Sequence, residues 1–484
     1  MRIVLEGNIN RIYVQSLCMM FFHGEKFPEN EKNPRGEVKL RLTENERDIL
    51  CECEFTYDLK TVKKDSYASL KEGEARERTI KRAVGKAVYE AGRELTKKDI
   101  PWGILTGIRP SKVAGELLKR EGYQRALEIL KDEYLLSEQK AKLCLKVAKN
   151  ECEIIDAYDN QTCSMYISIP FCPTRCTYCS FISYATKKLF NLIPEYIKKL
   201  VLEIKSKVQA INNLGLRLIS VYVGGGTPTT LNEEQLEMVL SAINSSVNKN
   251  DLVEFTVECG RPDTITEGKL KILKKYGVNR VSVNPQTLND EVLIEIGRKH
   301  TVNDFFDAYK IVSQEKIGAV NTDLIAGLNK DTIDSFKSTI DQIIDLCPDN
   351  VTVHSFSVKK SAQILRDDSE IYNKNDDIAK LSVDYAYNEL IKNGYEPYYM
   401  YRQKNTICDL ENVGYARKGS FGIYNVLMMS DNHTVFGIGA GATTKLVKKT
   451  GEKTQIKRIF SPKYPYEYLQ DNRNFSEEII NYFK

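Results

Sequence analysis

"YISIPFCPTRCTYCSF", residues 166–181, sets Cys172, Cys176 and Cys179 within eight positions, directly after a short apolar run. That run, "MYISI" (165–169), is the first of six rich in β-branched or aromatic residues. The others are "LISVYV" (218–223), "VEFTVE" (253–258), "VNRVSV" (278–283), "AVNTDLIAG" (319–327) and "VTVHSFSV" (351–358). Between them lie stretches of helical periodicity such as "PEYIKKLVLEIKSKVQAI", "NEEQLEMVLSAINSSV", "EGKLKILKKYG" and "DTIDSFKSTIDQIIDL". Strand and helix alternating in this way predict an α/β fold, with parallel strands inside and helices outside. Six units are too few to close an eight-stranded barrel, so residues 161–360 are expected to form an open, partial (β/α)6 barrel. In such folds chemistry gathers where strands end, because loops there can vary without disturbing the packed core.

The flanks have other rhythms. Apolar and polar residues alternate in "RIVLEGNINRIYVQ", "EVKLRL" and "ILCECEFTYDL", which predicts half-buried antiparallel strands. From about residue 75 to 150 the period turns helical, interrupted by the turn-rich "IPWGILTGIRPSKVAGELL" with the single tryptophan, Trp102. Residues 1–160 therefore read as an α+β accessory domain. After residue 360 come a helix around "DDIAKLSVDYAYNELIKNGYE", the tyrosine-rich "YEPYYMYRQK" and a glycine-punctuated tail with "FGIGAGATTK". Residues 361–484 read as a mixed α/β extension covering the substrate.

At 484 residues the chain holds two or three units, each able to bury a core. Its net charge of +4 argues against a dedicated nucleic-acid binder. The N-terminus has no apolar signal-peptide core, and no apolar run approaches a membrane span, so the expected location is cytoplasmic. Nine of the twelve cysteines are dispersed and read as small core residues; Cys51 and Cys53 alternate on one strand face.

The trio spaced C-x3-C-x2-C is different. A structural zinc site takes four Cys or His ligands, and none of the four histidines (His23, His300, His354, His433) lies nearby in sequence. Thiolates of a cubane iron–sulfur cluster fit better. Such a cluster takes four cysteines, so three leave one iron open to an outside ligand.

A cysteine trio on the loop after the first strand of six resembles the radical S-adenosylmethionine (SAM) superfamily. The resemblance implies a [4Fe-4S] cluster whose open iron is chelated by the amino and carboxylate groups of SAM, and cleavage to a 5′-deoxyadenosyl radical. "YISIPFC", "GGGTPT", "NRVSVNPQTLND", "GRKHT" and "NTDLIAGL" are similar, in order, to motifs of the oxygen-independent coproporphyrinogen III oxidases, or dehydrogenases. "WGILTGIRPSK", "YRQKNTICDLENVGYA" and "GIGAGATTK" point to the longer HemZ-type branch.

That family can bind two SAM molecules. For the one on the cluster, the resemblance implies Tyr166, Gly225 and Glu258, with a backbone contact near Tyr398. For the second it implies Tyr178, Gly226, Thr227, Gln286, Arg298, Asp323 and Ser357. These types suit the task. An arginine can clamp a carboxylate, carboxylates can accept from ribose hydroxyls or the amine, and a tyrosine ring attracts a cation. The implied reaction converts two propionates of coproporphyrinogen III to vinyl groups, giving protoporphyrinogen IX. The implied partners are this tetrapyrrole and an electron donor such as flavodoxin or ferredoxin. Arg261, Arg402 and Lys404 are the candidate cations for its carboxylates.

Ser168 stands where many relatives have histidine, "VNPQTL" replaces the usual glycine-valine before Gln286, and Tyr178 replaces a phenylalanine. Two alternatives share the core: a radical SAM enzyme on another substrate, such as a methyltransferase using both SAM molecules, and a heme-binding chaperone.

Overall fold

The computed structural model describes residues 1–28, 34–179, 185, 187–357, 376–403, 410–451, 453–473 and 475–483. Lys404 and Cys408 lie outside the described residues.

Two sheets organise the chain. The first holds β1 (Arg2–Glu6), β2 (Gly36–Glu44), β3 (Asp48–Tyr57) and β4 (Lys60–Ser69), in that order. Cys51 and Cys53 point into its core, and burial pushes both thiols up, Cys51 to about 12. Two details differ from the alternation in the sequence. β1 pairs parallel with β2, and Arg11–Phe21, expected as strand, is a helix. Asn10 caps it by accepting from Tyr13 N–H at 3.0 Å. Val14, Leu17, Cys18 and Phe21 then fall on one buried face, a helical spacing that a few alternating residues do not exclude.

The second sheet has eleven strands. Its centre is the expected array: β5 (Thr162–Ile169), β6 (Arg217–Gly225), β7 (Glu254–Glu258), β8 (Arg280–Ser282), β9 (Ala319–Ala326) and β10 (Asn350–Ser355), each parallel to the next. β5 is buried at every position but Tyr166, as expected of a parallel strand covered on both faces. Helices Ile193–Asn213, Glu233–Ser246, Glu267–Lys275 and Ile333–Asp345 fall where the periodicity predicts them.

The tail extends both edges. β13 (Thr434–Ile438) lies parallel to β5, followed by β14 (Thr443–Thr450) and β15 (Lys453–Phe460). Beyond β10 lie β12 (Glu411–Ala416) and β11 (Glu396–Arg402). The helix Glu138–Asp156 packs on β11, where Asn150 donates to the Pro397 carbonyl at 2.9 Å. Among the described residues no helix is long and apolar enough to cross a membrane.

Candidate active site

The cysteine loop leaves β5 at its C-terminal end, the expected end for chemistry. Its path is fixed by the glycine run that ends β6. Gly226 N–H donates to the Ile169 carbonyl and Thr227 N–H to the Phe171 carbonyl, both at 2.8 Å. A Cβ on Gly226 would come within 2.5 Å of the Phe171 carbonyl oxygen, so glycine is required for the two loops to touch. Thr227 Oγ1 stands 3.4 Å from Cys172 Sγ. Cys179 N–H donates to the Cys176 carbonyl at 3.1 Å, and Thr177 N–H to that of Ile296 at 3.1 Å. All three cysteines are half-buried.

Among the described residues no three His, Cys, Asp or Glu side chains converge as they would around a single metal ion. A cubane needs no such convergence, because each cysteine binds its own iron. The donor set fits as well: three soft sulfur ligands on one loop, with the mouth of the barrel beside them.

Inside the barrel the sequence-predicted residues form two groups. In the first, the half-buried Tyr166 ring stacks on Tyr222 at 6.1 Å, and Tyr424 stacks on Tyr222 at 4.6 Å. Tyr222 Oη donates to Glu258 Oε1 at 2.6 Å, and the Gly225 N–H also reaches that carboxylate. Burial pushes the Glu258 carboxyl up to about 7, with nearby Asp323 adding to the rise and the two hydrogen bonds opposing it. Ser168 bonds Tyr166, and its Oγ lies where a Cβ on Gly225 would come within 3.0 Å. Tyr398 is buried, stacked on Phe421 at 5.1 Å.

The second group centres on Asp323. Asn284 Nδ2 donates to its Oδ2 at 2.8 Å and Asn321 Nδ2 to its Oδ1 at 2.7 Å. Gln286 is held by a β-bridge to Leu324 at φ 73°, a strained backbone for a non-glycine residue. Arg298, almost fully buried, donates to the Asn284 carbonyl at 2.5 Å and faces Tyr178 and Cys176. Tyr178 meets Phe356 edge-on at 6.3 Å, next to Ser357. Gly226 and Thr227, which the resemblance gives to the same set, touch the cysteine loop.

Three further side chains had only weak signals in the sequence. Tyr222 lies three residues before Gly225, and Asn284 lies two before Gln286, past the end of β8, so each is marked only by its nearness in sequence to a candidate. His354 stands 4.0 Å from Asp323 and 3.3 Å from the Tyr401 hydroxyl, which no local pattern announces. Two of the candidate cations, Arg261 and Arg402, make other contacts. Arg261 turns to the cysteine loop, and Arg402 lies over the Trp102 ring at 5.2 Å with its guanidinium on the Leu105 carbonyl.

A half-open parallel barrel with a three-cysteine loop at its C-terminal mouth defines a radical SAM protein. The description "Radical SAM superfamily" matches residues 166–343. The chain is 34% identical over 401 residues to the "Oxygen-independent coproporphyrinogen-III oxidase-like protein HemZ" of Bacillus subtilis, covering 82% of this chain and 79% of that protein. It is 31% identical over 309 residues to the "Heme chaperone HemW" of the same organism, covering 63% of this chain and 77% of that protein. Coproporphyrinogen III oxidase (HemN) from Escherichia coli, a solved structure, shares the fold with a TM-score of 0.51 at 21% identity, over 67% of this chain and 71% of that one. The chain belongs to the radical SAM superfamily, in the HemZ-type branch of the oxygen-independent coproporphyrinogen-III oxidase-like proteins. Its cofactors are accordingly a [4Fe-4S] cluster and SAM.

Proposed function

We propose that this protein oxidatively decarboxylates coproporphyrinogen III, converting two propionates to vinyl groups. The observation that carries the reading is the reach of the likeness. It runs over 401 residues, 82% of this chain, well beyond the matched 166–343, and so takes in parts of the chain outside the barrel core. Cys172, Cys176 and Cys179 are the proposed cluster ligands. Glu258, with Tyr166 and Gly225, holds the SAM on the cluster. Tyr178, Gln286, Arg298, Asp323 and Ser357 form the second cradle, with Gly226 and Thr227 closing the loop between the two.

Bound there, the cluster and SAM supply one electron and a 5′-deoxyadenosyl radical. Per propionate, the β-carbon would give up one hydrogen atom, recovered in 5′-deoxyadenosine. The Cα–carboxylate bond then breaks, carbon dioxide departs, and one electron passes to an acceptor as the vinyl group forms. A flavodoxin- or ferredoxin-type protein is the proposed donor. The barrel's part is to fix the reacting atoms and keep water from the radical.

An anaerobic assay of the reconstituted, reduced protein with SAM and coproporphyrinogen III tests this, with mass spectrometry following 5′-deoxyadenosine and tetrapyrrole together. Two successive losses of carbon dioxide and two hydrogens support the decarboxylase. Deoxyadenosine formed with the tetrapyrrole unchanged points to another substrate. Tight heme binding without cleavage of SAM points to the chaperone role named for the HemW relatives.

A further inference from the structure

Arg261 follows β7, and its guanidinium is almost wholly buried behind the cysteine loop. One edge of its fork engages Asp263, with Nε–Oδ1 at 3.1 Å and Nη2–Oδ2 at 3.4 Å. The other edge faces the loop: Nη1 donates to Thr174 Oγ1 at 2.9 Å and stands 4.0 Å from Cys176 Sγ. The pair is thus a dipole with its positive end on Cys176. Arg298 approaches the same sulfur from the barrel side. His300, 3% exposed, lies beside both arginines, and among the described residues neither ring nitrogen has a hydrogen-bond partner. Burial first, then the two arginines, hold its pKa down to about 4 against the pull of Asp263 and Asp304, so it is neutral and adds no charge beside the arginines.

Buried charges of this kind need a reason, since desolvation of an arginine is costly unless paired and hydrogen-bonded. Pairing with Asp263 accounts for one edge of Arg261. Its other edge is directed at Thr174 and Cys176 of the cysteine loop.

We infer that Arg261 is a positioning residue that orients the Cys176 loop and sets the reduction potential of the cluster, with Asp263 as its counterweight. The inference rests on the three cysteines being the cluster ligands. A cluster bound by three thiolates gains one negative charge on reduction, so a fixed cation beside Cys176 favours the reduced form. Hydrogen bonding and charge around cluster sulfurs are among the levers that set such potentials.

The test is an EPR-monitored redox titration of the reconstituted full-length protein without SAM, on wild type, Arg261→Met, Arg261→Lys and Asp263→Asn. Arg261→Met should lower the reduced-to-oxidised ratio at fixed potential about tenfold, a shift of about 59 mV to more negative values for one electron. Arg261→Lys, which keeps the charge, should lie between Met and wild type. Asp263→Asn removes the opposing carboxylate and should shift the potential the other way. Opposite signs at the two positions are what a purely structural role does not produce. A wild-type cluster with Arg261→Met unshifted, or with both substitutions shifting alike, overturns the inference and leaves the ligand assignment standing. A wild-type protein that forms no cluster on reconstitution overturns both. If Arg261→Met retains no cluster, the direction of the Asp263→Asn shift decides.

Discussion

Glu258 shows how one residue couples the site to stability. Burial first, then the Asp323 charge, raises its carboxyl from an ordinary 4.5 to about 7 in the folded chain. A raised acid stabilises the fold while protonated. Its contribution is fully present below the unfolded value and is lost as pH rises through about 7. Discounted for its partial exposure to the barrel cavity, the effect is about 2 kcal/mol. Chemical denaturation of the cofactor-free protein should show wild type losing that much relative to Glu258→Gln as pH rises through this window. Parallel profiles for the two proteins would refute the assignment of the shift to Glu258. Cys176 makes the companion case. Cys176→Ala should lose the cluster's absorbance and SAM cleavage together, because two thiolates cannot hold three irons. Retained cleavage would sink the ligand assignment.

Among elements, the contact between the loops after β5 and β6 governs the site. Gly226→Ala would set a Cβ 2.5 Å from Phe171 O and 2.8 Å from Phe171 N, backbone atoms that move only if the cysteine loop moves. The expected cost is about 1–3 kcal/mol of stability, as for other overpacked positions. Iron retention after desalting should fall as well. A variant that keeps both stability and iron would show the loop contact to be dispensable. This contact also marks the limit of what the sequence discloses. "GGGTPT" at a strand end announces a close backbone approach, and the structure supplies what approaches: the neighbouring loop. The six central strands were legible because each is a short run of β-branched residues flanked by helical periods. β13 beside β5 was not, since a pairing between Val435 and Ser164 depends on the whole fold and on no local pattern. In the sequence Arg261 reads as a candidate cation for the tetrapyrrole carboxylates; its burial and its direction, toward Cys176, are tertiary facts.

At the scale of the whole molecule, four segments distant in sequence meet on one buried ion pair. Lys140, in the helix Glu138–Asp156, places Nζ 2.6 Å from Glu411 Oε1 at the start of β12 and 3.1 Å from Asp384 Oδ1 in the helix Asp376–Lys392. Trp102 Nε1 donates to the other oxygen of Glu411 at 2.7 Å, bringing in the turn-rich segment. Burial pushes the Glu411 carboxyl up, but the Lys140 charge and the hydrogen bonds outweigh it and hold the pKa below the ordinary 4.5. Lys140→Met would leave a buried carboxylate with neutral donors only, and removing one partner of such a pair costs roughly 3–5 kcal/mol. The loss should appear in denaturant unfolding and as faster hydrogen exchange in the Trp102 segment and β12. Lys140→Met with Glu411→Gln should recover most of it, because glutamine keeps an acceptor for Trp102 and buries no charge. A depressed acid contributes above its unfolded pKa and loses that contribution as pH falls. The gap between wild type and Lys140→Met should therefore narrow as pH falls. Without Lys140, burial raises the Glu411 carboxyl above its ordinary 4.5, so the variant sheds its stranded charge there, and below 4.5 wild type loses its own contribution. If the gap holds constant into acid, the pair is not what joins these segments, and packing around Trp102 must join them instead.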